Sequence, residues 1–132
     1  MNDHPSPFRS WNEVEPHSFL PGVSLHAIGG DQVLLCRVTY APGARVASHA
    51  HDACEQLMAI VDGEVTVTIG GESRTLGRGD VVVISRGLEH EVHSETGCTF
   101  FEALAPVPLD HVPEPGRDLV LGPDGGIGHV PR

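Results

Sequence analysis

The clearest alternation along the chain is Glu64-Val65-Thr66-Val67-Thr68-Ile69, in which every second residue is apolar. Successive side chains of a strand point to opposite faces, so this segment predicts a strand with one buried and one wet face. Comparable short runs rich in β-branched residues lie at 23–28, 33–40, 45–49, 56–62, 73–76, 81–85, 90–93 and 99–105. Turn-forming residues punctuate them: Gly29-Gly30-Asp31, Pro42-Gly43, Asp62-Gly63, Gly70-Gly71, Gly77-Arg78-Gly79-Asp80 and Arg86-Gly87. Asp-Gly and Gly-Gly supply positive φ angles, so Asp62-Gly63 and Gly70-Gly71 are expected to be two-residue hairpin loops. No segment carries a convincing helical period. Many short strands at close spacing predict an all-β fold, an antiparallel sandwich or barrel spanning 23–105.

The two ends read differently. Residues 1–22 are polar and Pro-interrupted, with Phe8, Trp11 and Phe19 as scattered anchors, which predicts an extended arm packed on the barrel. Residues 106–132 hold six Pro and five Gly, and an irregular C-terminal tail is expected there. A chain of 132 residues has room for one domain.

Charge narrows the partners. Eight basic against eighteen acidic residues give a net charge of −10, and phosphate binding needs clustered Lys and Arg, so nucleic acid is excluded. The longest apolar run, Leu57 to Val61, is far short of a membrane span. The first residues, Met1-Asn2-Asp3-His4-Pro5, lack a secretion-signal pattern, and a cytoplasmic location is expected. Cys36, Cys54 and Cys98 are odd in number with no C-x-x-C spacing, which predicts buried thiols and no disulfide framework. The expected partner is a small-molecule substrate. Open strand edges and terminal arms that can pair across a two-fold axis predict a homodimer.

Nine histidines are the chemically unusual feature, and their spacing carries information. His49 and His51 are two apart on a strand, so they project to one face within reach of one metal ion. Glu55-Gln56 opens the next strand and can return a third donor. After the apolar run at 81–85 and the turn at Gly87 comes His90. Two neighbouring hairpins thus offer a four-point nitrogen and oxygen site; the alternative is a set of histidines that only hydrogen-bond.

These residues resemble the two motifs of the cupin superfamily, G-x5-H-x-H-x3,4-E-x6-G and G-x5-P-x-G-x2-H-x3-N. Gly43, His49, His51 and Gly63 fit the first motif; Gly79, Gly87 and His90 fit the second, with Ser85 for Pro and Ser94 for Asn. The resemblance implies a cupin-type double-stranded β-helix and a divalent metal ion, zinc or iron in the first place, with nickel, manganese or copper as further options. The fixed gap to Gly63 puts Gln56 at the acidic-ligand position, whereas the shorter gap after His51 would choose Glu55. The Glu-Gln pair is similar to a subgroup whose amide oxygen ligates the metal, which includes uronate-processing cupins and cupin cyclases of aromatic polyketides. The implied ligands are His49, His51, Gln56 and His90.

Neutral ligands leave the ion's charge uncancelled, which favours Lewis-acid work: cyclisation or isomerisation of an oxygenated, polyketide-type or sugar-derived substrate. An iron-dependent dioxygenase and a non-catalytic ligand-binding cupin are the alternative readings. Glu102, a carboxylate within the apolar run Thr99-Phe100-Phe101-Glu102-Ala103-Leu104, is the candidate proton shuttle if it faces inward. Arg37 and Tyr40, three apart on one strand and therefore on opposite faces, are each candidates to anchor a substrate oxygen. Met58 and Ile60 share the face of Gln56 and are expected to line the cavity, or else simply to fill the core.

Overall fold

The computed structural model describes residues 6–51, 54–106, 117–121 and 127–131. Two antiparallel sheets face one another, and the only helical element among the described residues is a short 3-10 turn, Trp11–Glu13. The larger sheet contains β1 (His17–Leu20), β2 (Val23–Gly29), β3 (Leu34–Tyr40), β5 (Glu55–Gly63), β8 (Val81–Ile84) and β10 (Cys98–Ala105), in the order β1-β2-β3-β10-β5-β8. The smaller contains β4 (Arg45–His49), β6 (Val65–Ile69), β7 (Glu72–Leu76) and β9 (His90–His93), in the order β4-β9-β6-β7. The chain passes repeatedly from one sheet to the other, as in a double-stranded β-helix.

Period-two burial follows from that layering. Along β10, every second residue from Cys98 to Leu104 is buried, and β3 does the same from Leu34 to Tyr40. These faces meet Val23, Leu25, Met58, Ile60, Val65, Val67 and Val92 in one core. Tyr40 and Phe100 pack there with ring centroids 5.5 Å apart. Each fully buried large side chain contributes roughly 1.5–3 kcal/mol. Cys36, Cys54 and Cys98 are buried thiols in the same interior.

Of three local expectations, one holds and two need revision. Gly70-Gly71 does close a tight hairpin, with Ile69 opposite Glu72 and both glycines at positive φ. Asp62-Gly63 does not. Strands β5 and β6 belong to different sheets, so this pair turns a corner between layers. Gly63 has a φ of 75°, and a Cβ there would stand 2.2 Å from the Gly97 carbonyl oxygen, so the corner admits no side chain. The tail is not wholly irregular either: β11 (Arg117–Leu121) pairs with β12 (Ile127–Pro131). Most of its Pro and Gly fall outside those two runs, which a composition averaged over the whole segment conceals.

The N-terminal arm joins the larger sheet through β1, in register with β2. Ahead of β1, Trp11 lies on that sheet's outer face, stacked 6.1 Å from Phe101, 6.4 Å from the His26 ring and beneath the Arg37 guanidinium at 5.8 Å. Apolar residues also cross that face. Ile28, Leu35, Ala103, Leu57 and Val83 are successive cross-strand partners, forming a row across β2-β3-β10-β5-β8. Leu35, Leu57 and Val83 remain exposed.

Candidate metal centre

Strand register assembles the histidines. β4 and β9 are antiparallel neighbours with His49 directly opposite His90, which puts their ring centroids 4.3 Å apart. His51, just beyond the end of β4, has its ring 5.1 Å from His49 and 5.4 Å from His90. The turn before β9 secures it: the Gly87 N–H donates to the His51 carbonyl oxygen at 2.9 Å. One ligand nitrogen from each of the three residues lies within 4.8 Å of the others.

Hydrogen bonds set the tautomers. The Nδ1 atoms of His49 and His90 meet the carbonyl oxygens of Ala47 and Leu88 at 2.8 and 3.0 Å. A carbonyl only accepts, so each Nδ1 carries the proton and each Nε2 keeps its lone pair. Burial, reinforced by His49 and His90, pushes His51 down to about 3. His90 is also lowered by burial and by His49, against the opposing bond to Leu88. His51 and His90 are therefore neutral at pH 7, the form that binds metal.

A candidate fourth donor lies on β5. Alternation exposes Glu55 and buries Gln56, so the inner face receives the amide and not the carboxylate. The Gln56 Nε2 donates to Glu102 Oε2 at 2.5 Å, which fixes the amide's orientation and leaves Oε1 as a bare acceptor. Among the described residues, four buried side-chain polar atoms lack any hydrogen-bond partner: Nε2 of His49, His51 and His90, and Oε1 of Gln56. An unsatisfied buried polar atom costs about 1–3 kcal/mol. Three imidazole nitrogens and an amide oxygen are, however, a donor set that fits a divalent cation. The residues present suit the ion.

The remaining candidates divide by face. Glu102 is buried, opposite Met58 on β5 and Cys36 on β3, which settles its orientation in favour of the interior. Burial pushes its carboxyl up to about 7, against the opposing bond from Gln56. Tyr40 also faces inward; burial first, then Glu102 and Cys98, raises its hydroxyl well above the usual range. Met58 and Ile60 are buried on the same face as Gln56 and belong to the core. Arg37 does not reach the interior. It is on the outer face with its guanidinium over Trp11, so it cannot anchor a substrate within the barrel.

Other supports are not evident from spacing. Ser94, where the family pattern has Asn, donates from Oγ to the Glu64 carbonyl at 2.6 Å and accepts from the Gly97 N–H at 3.0 Å. The Cys54 thiol donates to the Pro106 carbonyl at 3.0 Å, tying the start of β5 to the end of β10. The bond between Gln56 and Glu102 was hidden because it depends on β5 and β10 being neighbours. An inward-facing Glu and an inward-facing Gln were its only signal in the sequence.

The cupin domain family model matches residues 36–103, which is 68 of the 132 residues and includes all four orphaned donors. The chain is a cupin. This cupin is 24% identical over 91 residues to the tetracenomycin polyketide synthase protein TcmJ of Streptomyces glaucescens. That match spans 69% of this chain but 61% of the relative, less than two thirds of its length. An RmlC-like cupin from Shewanella frigidimarina superposes with a TM-score of 0.74 at 21% identity, covering 82% of this chain and 97% of the other. KdgF from Halomonas sp. gives 0.70 at 21% identity, covering 76% and 95%. At that identity the two structures establish the fold, a double-stranded β-helix. Among the described residues, no helix is long and apolar enough to cross a membrane.

Proposed function

We propose that this cupin is a metal-dependent enzyme that holds one divalent ion, zinc or iron, on His49, His51, His90 and Gln56. Its reaction would be the non-redox cyclisation or isomerisation of an oxygenated small molecule. The observation that carries the reading is the coincidence of the buried orphan atoms with those four side chains. When bound, the ion supplies a positive charge that no ligand cancels, which polarises a substrate oxygen. Glu102 is the proton carrier: its carboxyl is poised near 7, where it can both take and give a proton. Because Oε2 is committed to the Gln56 amide, Oε1 is the atom that exchanges the proton. The resemblance to a polyketide synthase protein supports a polyketide-type substrate.

Metal analysis of protein purified without chelators or added metal tests the ligand set. Wild type and Glu55→Ala are expected to retain about one ion per chain, whereas Gln56→Ala loses affinity by roughly tenfold or more. Retention in Gln56→Ala together with loss in Glu55→Ala would reverse the assignment. Turnover under anaerobic conditions with zinc separates this chemistry from an oxygen-dependent reaction.

The homodimer belongs to the same proposal and is supported by the outer apolar row. In a chain of net charge −10, the row Leu35, Ala103, Leu57, Val83 offers a charge-free surface on which two copies can approach. Leu57→Glu combined with Val83→Glu is expected to convert a dimer to a monomer by light scattering. An unchanged mass would place the contact elsewhere.

A further inference from the structure

Beside the histidine cluster, the two sheets do not close completely. A cavity of about 390 Å³ lies between residues of β6 and β7 on one side and β8, the last strand of the larger sheet, on the other. Small-molecule sites typically occupy roughly 300–1,000 Å³. Val67, Ile69, Leu76, Val81 and Val82 line it together with the exposed Glu72 and Arg74. It adjoins the metal residues through register: Ile69 is the direct cross-strand partner of His90, and Val82 is that of Met58, two residues along β5 from Gln56.

The lining selects the ligand's chemistry. Five of its lining side chains are aliphatic and offer no hydrogen bond, while Glu72 and Arg74 supply its polar groups. A polyhydroxylated sugar placed there could pair with Glu72 and Arg74, but each hydroxyl turned to the aliphatic walls and shut off from water would cost about 1–3 kcal/mol. An apolar ring system gains from the same contacts. Arg74 lies in register opposite Val67 and therefore on the inner face of its strand. Its hydrogen bond to Glu72 uses Nε. Both residues are exposed, and an exposed ion pair contributes no more than about 1 kcal/mol, so the guanidinium can turn to an anionic ligand at little cost.

We infer that this cavity seats the body of the substrate, and that the body is an aromatic ring system bearing an acidic group that Arg74 receives. This deepens the proposed function and rests on it: the reactive oxygen would lie toward the histidines and the ring system would extend between β7 and β8. Of the polyketide-type and sugar-derived classes, the wall chemistry favours the first.

The test is a fluorescence titration of the full chain with 3-hydroxy-2-naphthoic acid, using its methyl ester and galacturonic acid as comparators. Saturable 1:1 binding of the naphthoate is expected, at least about tenfold tighter than galacturonate. Arg74→Gln, an exposed edge-strand change that keeps the fold, should weaken the acid about tenfold and the ester little. Leu76→Trp, which fills the cavity, should weaken both. Naphthoate binding no tighter than galacturonate, or insensitive to both substitutions, overturns the inference. Metal content measured on the same samples separates the two readings. Intact metal with cavity-independent naphthoate binding overturns the cavity alone, whereas naphthoate binding that depends on Leu76 and Arg74 in metal-free protein supports the cavity even if the metal reading fails.

Discussion

His51→Ala is expected to lower metal affinity by more than about a hundredfold while leaving the barrel folded, since replacing even an outer partner of a ligand costs roughly 10–100-fold. His51 is buried, which with the neighbouring His49 and His90 pushes it to about 3, and its backbone already lies in the bond from Gly87. Removing the ring therefore leaves the main-chain tie intact and opens one corner of the donor set. Competition against a chromophoric chelator measures the loss, and circular dichroism checks the fold. Affinity within a few-fold of wild type would show that the ion is held elsewhere. His90→Ala should behave likewise, with a larger structural cost because His90 is among the most fully buried side chains.

Glu102→Gln should make the stability of the metal-free protein less sensitive to pH. In the folded chain the carboxyl titrates near 7, against an ordinary value of 4.5. Below pH 4.5 both folded and unfolded chains hold the proton, and Glu102 imposes no penalty. Between 4.5 and 7 the unfolded chain releases it first, so stability falls as pH rises; above 7 the penalty is complete, about 3 kcal/mol. The glutamine does not titrate, and its carbonyl can still accept from Gln56. It should therefore gain up to about 3 kcal/mol relative to wild type above pH 7, and nothing below 4.5. His51 contributes the opposite slope, costing stability as pH falls from 6.5 toward about 3, but it does so in both proteins. Urea unfolding of the pair across pH 4.5–8 isolates the carboxyl. A difference that does not vary with pH would mean Glu102 is not held as described.

Much of this was legible in the chain because β structure writes a period of two. The alternation from Val65 to Ile69 and the glycine punctuation located the barrel strands to within a residue or two. The same period admits only one of Glu55 and Gln56 to the inner face, and the structure buries Gln56 there. It also separates Arg37 from Tyr40. What it cannot supply is which strands become neighbours. Asp62-Gly63 has the composition of a hairpin loop, yet β5 finds its partners in β10 and β8, far along the chain. The Gln56–Glu102 bond, the roof that Trp11 makes over Phe101 and the gap beside β8 all depend on those distant pairings.

His49 and His90 come from strands that meet only when the intervening chain has folded back between them. An ion shared by these residues would act as a clasp across that long excursion. Its escape would then be governed by how often β4 and β9 part company. Chelator-induced release should accordingly follow the kinetics of strand separation, and a preparation stripped of its ion should expose the β4–β9 amides to solvent hydrogen sooner than the remainder of the barrel.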